Sequence, residues 1–185
     1  MTDRQFDEQI RLIRQGEKQG LKTIYEEYSR IIYSVIVAVL HSHENAQDVV
    51  SEFFLKLWSI ADTYCPGGKH MRWLVTVARN MAIDFSRKYN REQFSADSDE
   101  VFSAKLCDPD SSTENMVIEK LCIDNALNAL DSTEREIVNL RLMADMSFKD
   151  IAQLLKKPMG TVSWKYRTAI GKLKKLMGEV HADEE

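Results

Sequence analysis

Apolar residues recur at helical spacing along most of the chain, and nowhere more regularly than from Asp131 to Met177. Three helix patterns fit this stretch, the last two separated by a short turn. Asp131 and Glu134 are spaced as a capping box at the first helix, and Ser147 and Asp150 stand in a similar relation at the second. Ile151, Leu154 and Leu155 form one stripe, and Pro158 suits the first turn of a third helix, where its missing N–H has no helical acceptor. In that helix Val162, Tyr166, Ala169, Ile170, Leu173, Leu176 and Met177 share an inner face. The N-terminal half repeats the period over Leu21–Leu40, Glu44–Ile60 and Met71–Tyr89, a three-helix core preceded by a shorter helix. Ala46, Val49, Val50, Phe53, Phe54 and Leu57 point inward in the middle one. The longest apolar run, Ile31 to Leu40, is about half of what a bilayer span requires, so it predicts a buried helix and no membrane insertion.

Between the halves the period fails. EQFSADSDEVFSAKLCDPDSSTEN is rich in Ser and Asp, and at roughly 25 residues it exceeds an ordinary connection inside a compact domain. The expectation is an all-α chain of two small helical domains, 1–91 and 116–185, joined by a flexible acidic linker at 92–115. With 185 residues, 44% of them hydrophobic, two small cores can be buried; 7 Gly and 3 Pro favour helices throughout. The linker's negative charge also lets it occupy a channel that otherwise holds nucleic acid.

Net charge is −4, but its distribution matters more. Residues 61–91 carry six basic and two acidic groups, 161–178 carry five basic and none acidic, and 92–124 carry two basic against nine acidic. Two separate basic stripes on an acidic protein predict contact with phosphate at two places and avoidance elsewhere. Cys65, Cys107 and Cys122 form no disulfide or zinc pattern, and His41 with His43 has no further ligands nearby, so neither metal nor cofactor is expected. The polar start, MTDRQFDEQIRLIRQ, has no signal-peptide core and predicts a cytoplasmic protein. An enzyme is not expected, because no phosphate-cradling Gly-rich loop, paired carboxylate or metal-ligand cluster is present.

Three surfaces carry candidate chemistry. On the third C-terminal helix Thr161, Ser163, Trp164, Lys165, Arg167, Thr168, Lys172, Lys174 and Lys175 lie outside the apolar face. On the Glu44–Ile60 helix Gln47, Asp48, Ser51, Glu52 and Lys56 form an outer, partly acidic face, which spacing alone leaves open between solvent and a partner. The segment from Ala61 to His70 contains Pro66, Gly67 and Gly68, with Tyr64, Lys69 and His70 supplying an aromatic surface and positive charge, the groups that capture an unstacked base and its phosphates. Arg72, Arg79, Asn80, Arg87 and Lys88 follow on the next helix.

These segments resemble a known family. IYEEYSRIIYSVI, ENAQDVVSEFFLKLW and YCPGGKHMRWLVTVARNMAIDFSRK are similar to the first conserved domain of bacterial sigma-70 family initiation factors, in the extracytoplasmic function subgroup. LDSTEREIVNLRLMADMSFKDIAQLLKKPMGTVSWKYRTAIGKLKKL resembles their last domain, in the family's order and separation. The resemblance implies a sigma-2-like helical bundle and a sigma-4-like helix-turn-helix, with core RNA polymerase, promoter DNA both double-stranded and melted, and an anti-sigma factor as partners. Ala46, Asp48, Glu52, Phe54, Leu55 and Trp58 match the motif whose exposed side grips the polymerase clamp helices, so Gln47, Asp48, Ser51, Glu52 and Leu55 are the implied polymerase contacts. Pro66, Gly67, Gly68, Arg79, Asn80 and Asp84 match the melting segment, where Trp73 and Ala78 are expected to pack. His70, Met71 and Arg72 stand where the family usually has an aromatic and an arginine, and Ser163-Trp164-Lys165 replaces the common Lys-Ser-Arg, so promoter preference should differ from that of relatives.

The implied mechanism has Lys165, Arg167, Lys172, Lys174 and Lys175 contacting phosphates in the major groove while Thr161, Ser163, Trp164 and Thr168 read base edges. Trp164 could contact thymine methyls or a sugar, or pack on the polymerase or linker instead. The rival is a free-standing helix-turn-helix regulator, which would leave the melting loop without a task.

Overall fold

The structure, a computed structural model, describes residues 1–95 and 129–182, with side chains at 1–91 and 129–176. Residues 96–115 of the expected linker, with Cys107 and Cys122, lie outside the described residues. The chain divides into two compact units, Met1–Ala104 and Lys105–Glu185. Every regular element among the described residues is helical.

In the first unit α1 (Asp3–Arg14), α3 (His43–Ile60) and α4 (His70–Ser95) each pack on α2 (Lys18–Leu40), with a 3₁₀ turn at Ala61–Thr63. Thr2 and Gln5 close a capping box on α1. Its other end is a Schellman turn: Glu17 N–H donates to the Leu12 carbonyl and Gly16 N–H to that of Ile13, with Gly16 at φ 82°. The chain then reverses so tightly that a Cβ on Gly20 would stand 2.5 Å from the Gln9 carbonyl. Ile24, Tyr28, Ile32 and Ile36, one helical stripe of α2, are buried, as are Phe6 and Ile10 of α1, Phe53 and Leu57 of α3 and Leu74 of α4, the helices packed against α2. Each such side chain contributes about 1.5–3 kcal/mol of burial. The Ile31–Leu40 run is thus core, and among the described residues no helix is long and apolar enough to cross a membrane. Helix α4 runs to Ser95, six residues past the end that its apolar period gave, and Glu92 and Gln93 are good helix formers.

The second unit holds α5 (Ser132–Leu142), α6 (Phe148–Leu155) and α7 (Met159–Ala182). Asp131 and Glu134 form the expected capping box on α5. At α6 the box is replaced by a tighter local pair: Ser147 Oγ accepts from Asp150 N–H and donates to the Asp150 carboxylate at 2.6 Å. Lys156 in the left-handed region ends α6, and Pro158 stands immediately before α7, its carbonyl accepting from Val162 N–H. Leu130, Val138 and Ala169 are buried with Tyr166, Ile170 and Leu173 packed on them, so the inner face of α7 is the one its period marks.

Candidate nucleic-acid and partner interfaces

The outer face of α3 follows directly from its period. With Ala46, Val49, Phe53 and Leu57 buried, Gln47, Asp48, Ser51, Glu52 and Leu55 are all exposed, Leu55 at 74%. Asp48 and Glu52 are like charges one turn apart, an arrangement mildly unfavourable in a free helix and relieved by a basic partner. An exposed leucine beside two carboxylates can offer a partner an apolar anchor with a charged rim.

The loop after α3 turns out differently. Tyr64 and His70, expected to offer an aromatic surface, are buried at 3% and 8% exposure. The Tyr64 hydroxyl donates to Asp7 Oδ1 at 2.8 Å, and its ring packs on Phe6 and Trp73. Burial, then the bond to Asp7, pushes the Tyr64 phenol up. His70 stacks on Phe6, meets the Tyr28 hydroxyl at 2.7 Å and pairs through Nδ1 with Asp3. Bonds from the His70 ring and backbone N–H hold the Asp3 carboxyl below its usual range. Helix α1 has therefore covered the aromatic side of the loop, and neither ring can stack on a base. What remains outward is cationic and polar: Lys69, Arg72, Asn80, Arg87 and Lys88 are exposed and Arg79 is half-buried. At about 100° per residue Arg72, Arg79, Asn80 and Arg87 share one side of α4, a stripe that runs along most of the helix. Arg87 lies 3.7 Å from Asp84 on the surface. Trp73 and Ala78 pack inward, as expected.

On α7 the outward residues separate into two groups. Trp164 is 58% exposed, and Thr161, Arg167, Lys174 and Lys175 are exposed, while Ser163 and Thr168 are half-buried. Gly160 and Gly171 lie on this same outermost line, and a Cβ on either would touch nothing. Lys165 and Lys172 turn back to the cap of α5 instead. Lys165 Nζ donates to Asp131 at 2.7 Å, and Lys172 Nζ donates to both oxygens of Glu134 at 2.9 and 2.7 Å. The Glu134 side chain is only 4% exposed, so Lys172 neutralises a buried carboxylate. Asp131 feels burial, which raises its pKa, but the bonds from Lys165 and the Glu134 backbone N–H outweigh it and hold the carboxyl low. Periodicity missed these pairs because 165 and 172 sit at the edge of the inner face, where long side chains reach acids in another helix. Also unread in the sequence were Asp3, Asp7 and Arg14 of α1, whose spacing on one helical face was the available signal.

Among the described residues no group of three or more metal-ligating side chains converges.

Comparison with known proteins agrees with this division. Residues 24–92 match sigma-70 region 2, and residues 120–173 match sigma-70 region 4; together the two cover well over half of the chain. The ECF RNA polymerase sigma factor SigK of Mycolicibacterium vanbaalenii is 23% identical over 94% of this chain and 90% of its own. The ECF RNA polymerase sigma factor SigL of Mycobacterium tuberculosis is 27% identical over 89% of this chain and 93% of its own. Among solved structures, the sigma factor RpoE of Bartonella quintana, in complex with the anti-sigma factor NepR, shares the fold with a TM-score of 0.68 at 22% identity, over 85% of this chain and 96% of that one. With both sigma-70 regions in order on two helical units, the chain belongs to the sigma-70 family, in its extracytoplasmic function group.

Proposed function

We propose that this chain is an alternative sigma factor that binds core RNA polymerase and directs promoter recognition, DNA melting and transcription initiation, with three surfaces dividing the work. The outer face of α3 docks on the polymerase through Leu55, with Asp48 and Glu52 paired to basic residues and Gln47 and Ser51 completing the polar rim. The Lys69 loop and the α4 stripe of Arg72, Arg79, Asn80, Arg87 and Lys88 hold the phosphates of the melted strand. Helix α7 enters the major groove of the upstream promoter element, where Trp164, Thr161, Ser163 and Thr168 read base edges while Arg167, Lys174 and Lys175 fix position. The single observation that carries this reading is the separation of two basic, exposed helix faces onto different units, with a docking face beside the first.

Tyr64 and His70 act here as scaffold. Lys165 and Lys172 reach phosphate only by leaving the acids they hold. The chain does no covalent chemistry of its own, works in the cytoplasm, and is held when idle by an anti-sigma partner such as the one bound to the RpoE relative. Residues 92–115 serve as the tether between 1–91 and 116–185. The regulator without polymerase is the weaker reading, since it gives α3 and the loop nothing to do. The test is transcription by core polymerase, with and without this chain, from templates randomised in the upstream element. Selective transcripts that depend on the chain support the assignment; sequence-specific binding to a symmetric operator with no effect on core polymerase overturns it.

A further inference from the structure

Helix α1 precedes the region matched to the family, yet three of its side chains bond the strand-capturing loop. Asp3, Asp7 and Arg14 stand at i, i+4 and i+11, one side of the helix, next to the buried Phe6, Ile10 and Ile13. Asp7 takes the Tyr64 hydroxyl on one oxygen at 2.8 Å and the Gly67 N–H on the other at 2.9 Å. Asp3 accepts the His70 backbone N–H at 3.2 Å and pairs with the His70 ring. At the other end the Arg14 guanidinium donates to the Ala61 carbonyl at 2.9 Å and to that of Tyr64 at 2.7 Å. Carboxylates thus face the loop's N–H groups, and a guanidinium faces its carbonyls.

That matching matters because the loop is intrinsically shapeless. Pro66 is followed by two glycines, Gly67 has φ 75°, and a Cβ on Gly68 would crowd the Cys65 carbonyl at 3.1 Å. Adjacent glycines open many backbone shapes, of which one places the exposed Lys69 against a strand. We propose that α1 is the brace that selects this shape, with Asp7 as the positioning residue at the loop's apex and Asp3 and Arg14 fixing its ends. The inference rests on the assignment of this loop to strand capture.

The test uses holoenzyme reconstituted from core polymerase and each full-length variant, mixed with a pool of single-stranded DNA oligonucleotides randomised across the melted element. Bound DNA is sequenced. Asp7→Ala is expected to flatten the base preference at the captured position about tenfold, the discrimination that one good base contact supplies. Asp7→Asn should fall between, because its carboxamide oxygen can serve only one of the two oxygens' roles. Arg11→Ala, which loses only a surface pair with Glu8, should match the wild type. Core affinity and duplex binding to the upstream element should not move in any of the three. A variant that merely lowers the folded fraction reduces all bound sequences equally and leaves the preference intact, and that result for Asp7→Ala overturns the proposal. Lys69→Ala and Arg72→Ala separate this failure from a wrong assignment of the loop. If they weaken strand binding while Asp7→Ala keeps its preference, the brace alone falls. If they leave strand binding unchanged, the loop is not the strand site and the brace falls with it.

Discussion

Lys172 offers the sharpest test of the C-terminal unit, because its charge can serve the fold or the DNA. In the structure it supplies two of the three bonds that the Glu134 carboxylate accepts, the third coming from Asp131 N–H at 3.1 Å. Lys172→Ala leaves that carboxylate, 4% exposed, with one donor. Stranding a buried group that had charged partners costs about 1.5–3 kcal/mol, and breaking a fully buried ion pair about 3–5. Lys172 itself is 44% exposed, so water can enter where the ammonium stood, and the lower range applies. For a unit of this size about 2 kcal/mol moves the melting midpoint by roughly 10 °C. Amide exchange within α5 reports this unit by itself and should show the loss. Lys174→Ala is the counterpart: stability stays, and the salt slope of promoter binding shrinks by about 0.9 for one phosphate contact. If Lys172→Ala instead left α5 protection unchanged and lowered the salt slope as Lys174→Ala does, the buried pair would not exist in solution and the reasoning would be wrong.

Further outcomes can be checked independently. The Asp131 carboxyl is held low, so its contribution to stability is present above the ordinary Asp range and is lost as pH falls through the lower folded value; Asp131→Asn keeps a good cap and should remove that part of the acid limb in pH-dependent unfolding. Reversing both Asp48 and Glu52 should abolish binding to core polymerase in a pull-down while moving the melting temperature little, since exposed charges contribute little to folding; retained affinity would refute the α3 assignment. Trp164→Ala should reorder upstream-element preferences, losing roughly 1–3 kcal/mol of discrimination at one base; an equal loss on all sequences would make Trp164 a positioning residue. Phe6→Ala removes the ring at the centre of the Tyr28, Tyr64, His70 and Trp73 cluster and should cost about 3–5 kcal/mol in denaturant unfolding of the first unit.

What the sequence revealed was what depends on local period. The inner faces of α3 and α7, the Asp131–Glu134 cap and the exposure of Gln47, Asp48, Ser51, Glu52 and Lys56 all follow from spacing within one helix, and all stand in the structure. Tyr64 and His70 were misread because their environment comes from α1, some sixty residues earlier in the chain, and no period in the loop records that Phe6 will lie across them. Lys165 and Lys172 show the same limit in reverse. Helical position left both outside the apolar face, as phosphate contacts, but the partner that claims a flexible ammonium is set by how α5 crosses α7. The opposite charges of Asp3, Asp7 and Arg14 along one face of α1 were visible, and only the loop's backbone gives them meaning.

The two lysines tied to the cap of α5 bear on how the factor searches. A chromosome is almost wholly non-specific sequence, and a helix that offered all five of its cations would be drawn to any stretch of it, with affinity rising steeply per phosphate engaged. With Lys165 and Lys172 donating to Asp131 and Glu134, α7 as proposed would meet the groove with fewer cations and have less appetite for random duplex. On the proposed reading such a factor would stay off the bulk of the genome until polymerase carries it to a promoter, where the base-reading residues would decide whether it remains.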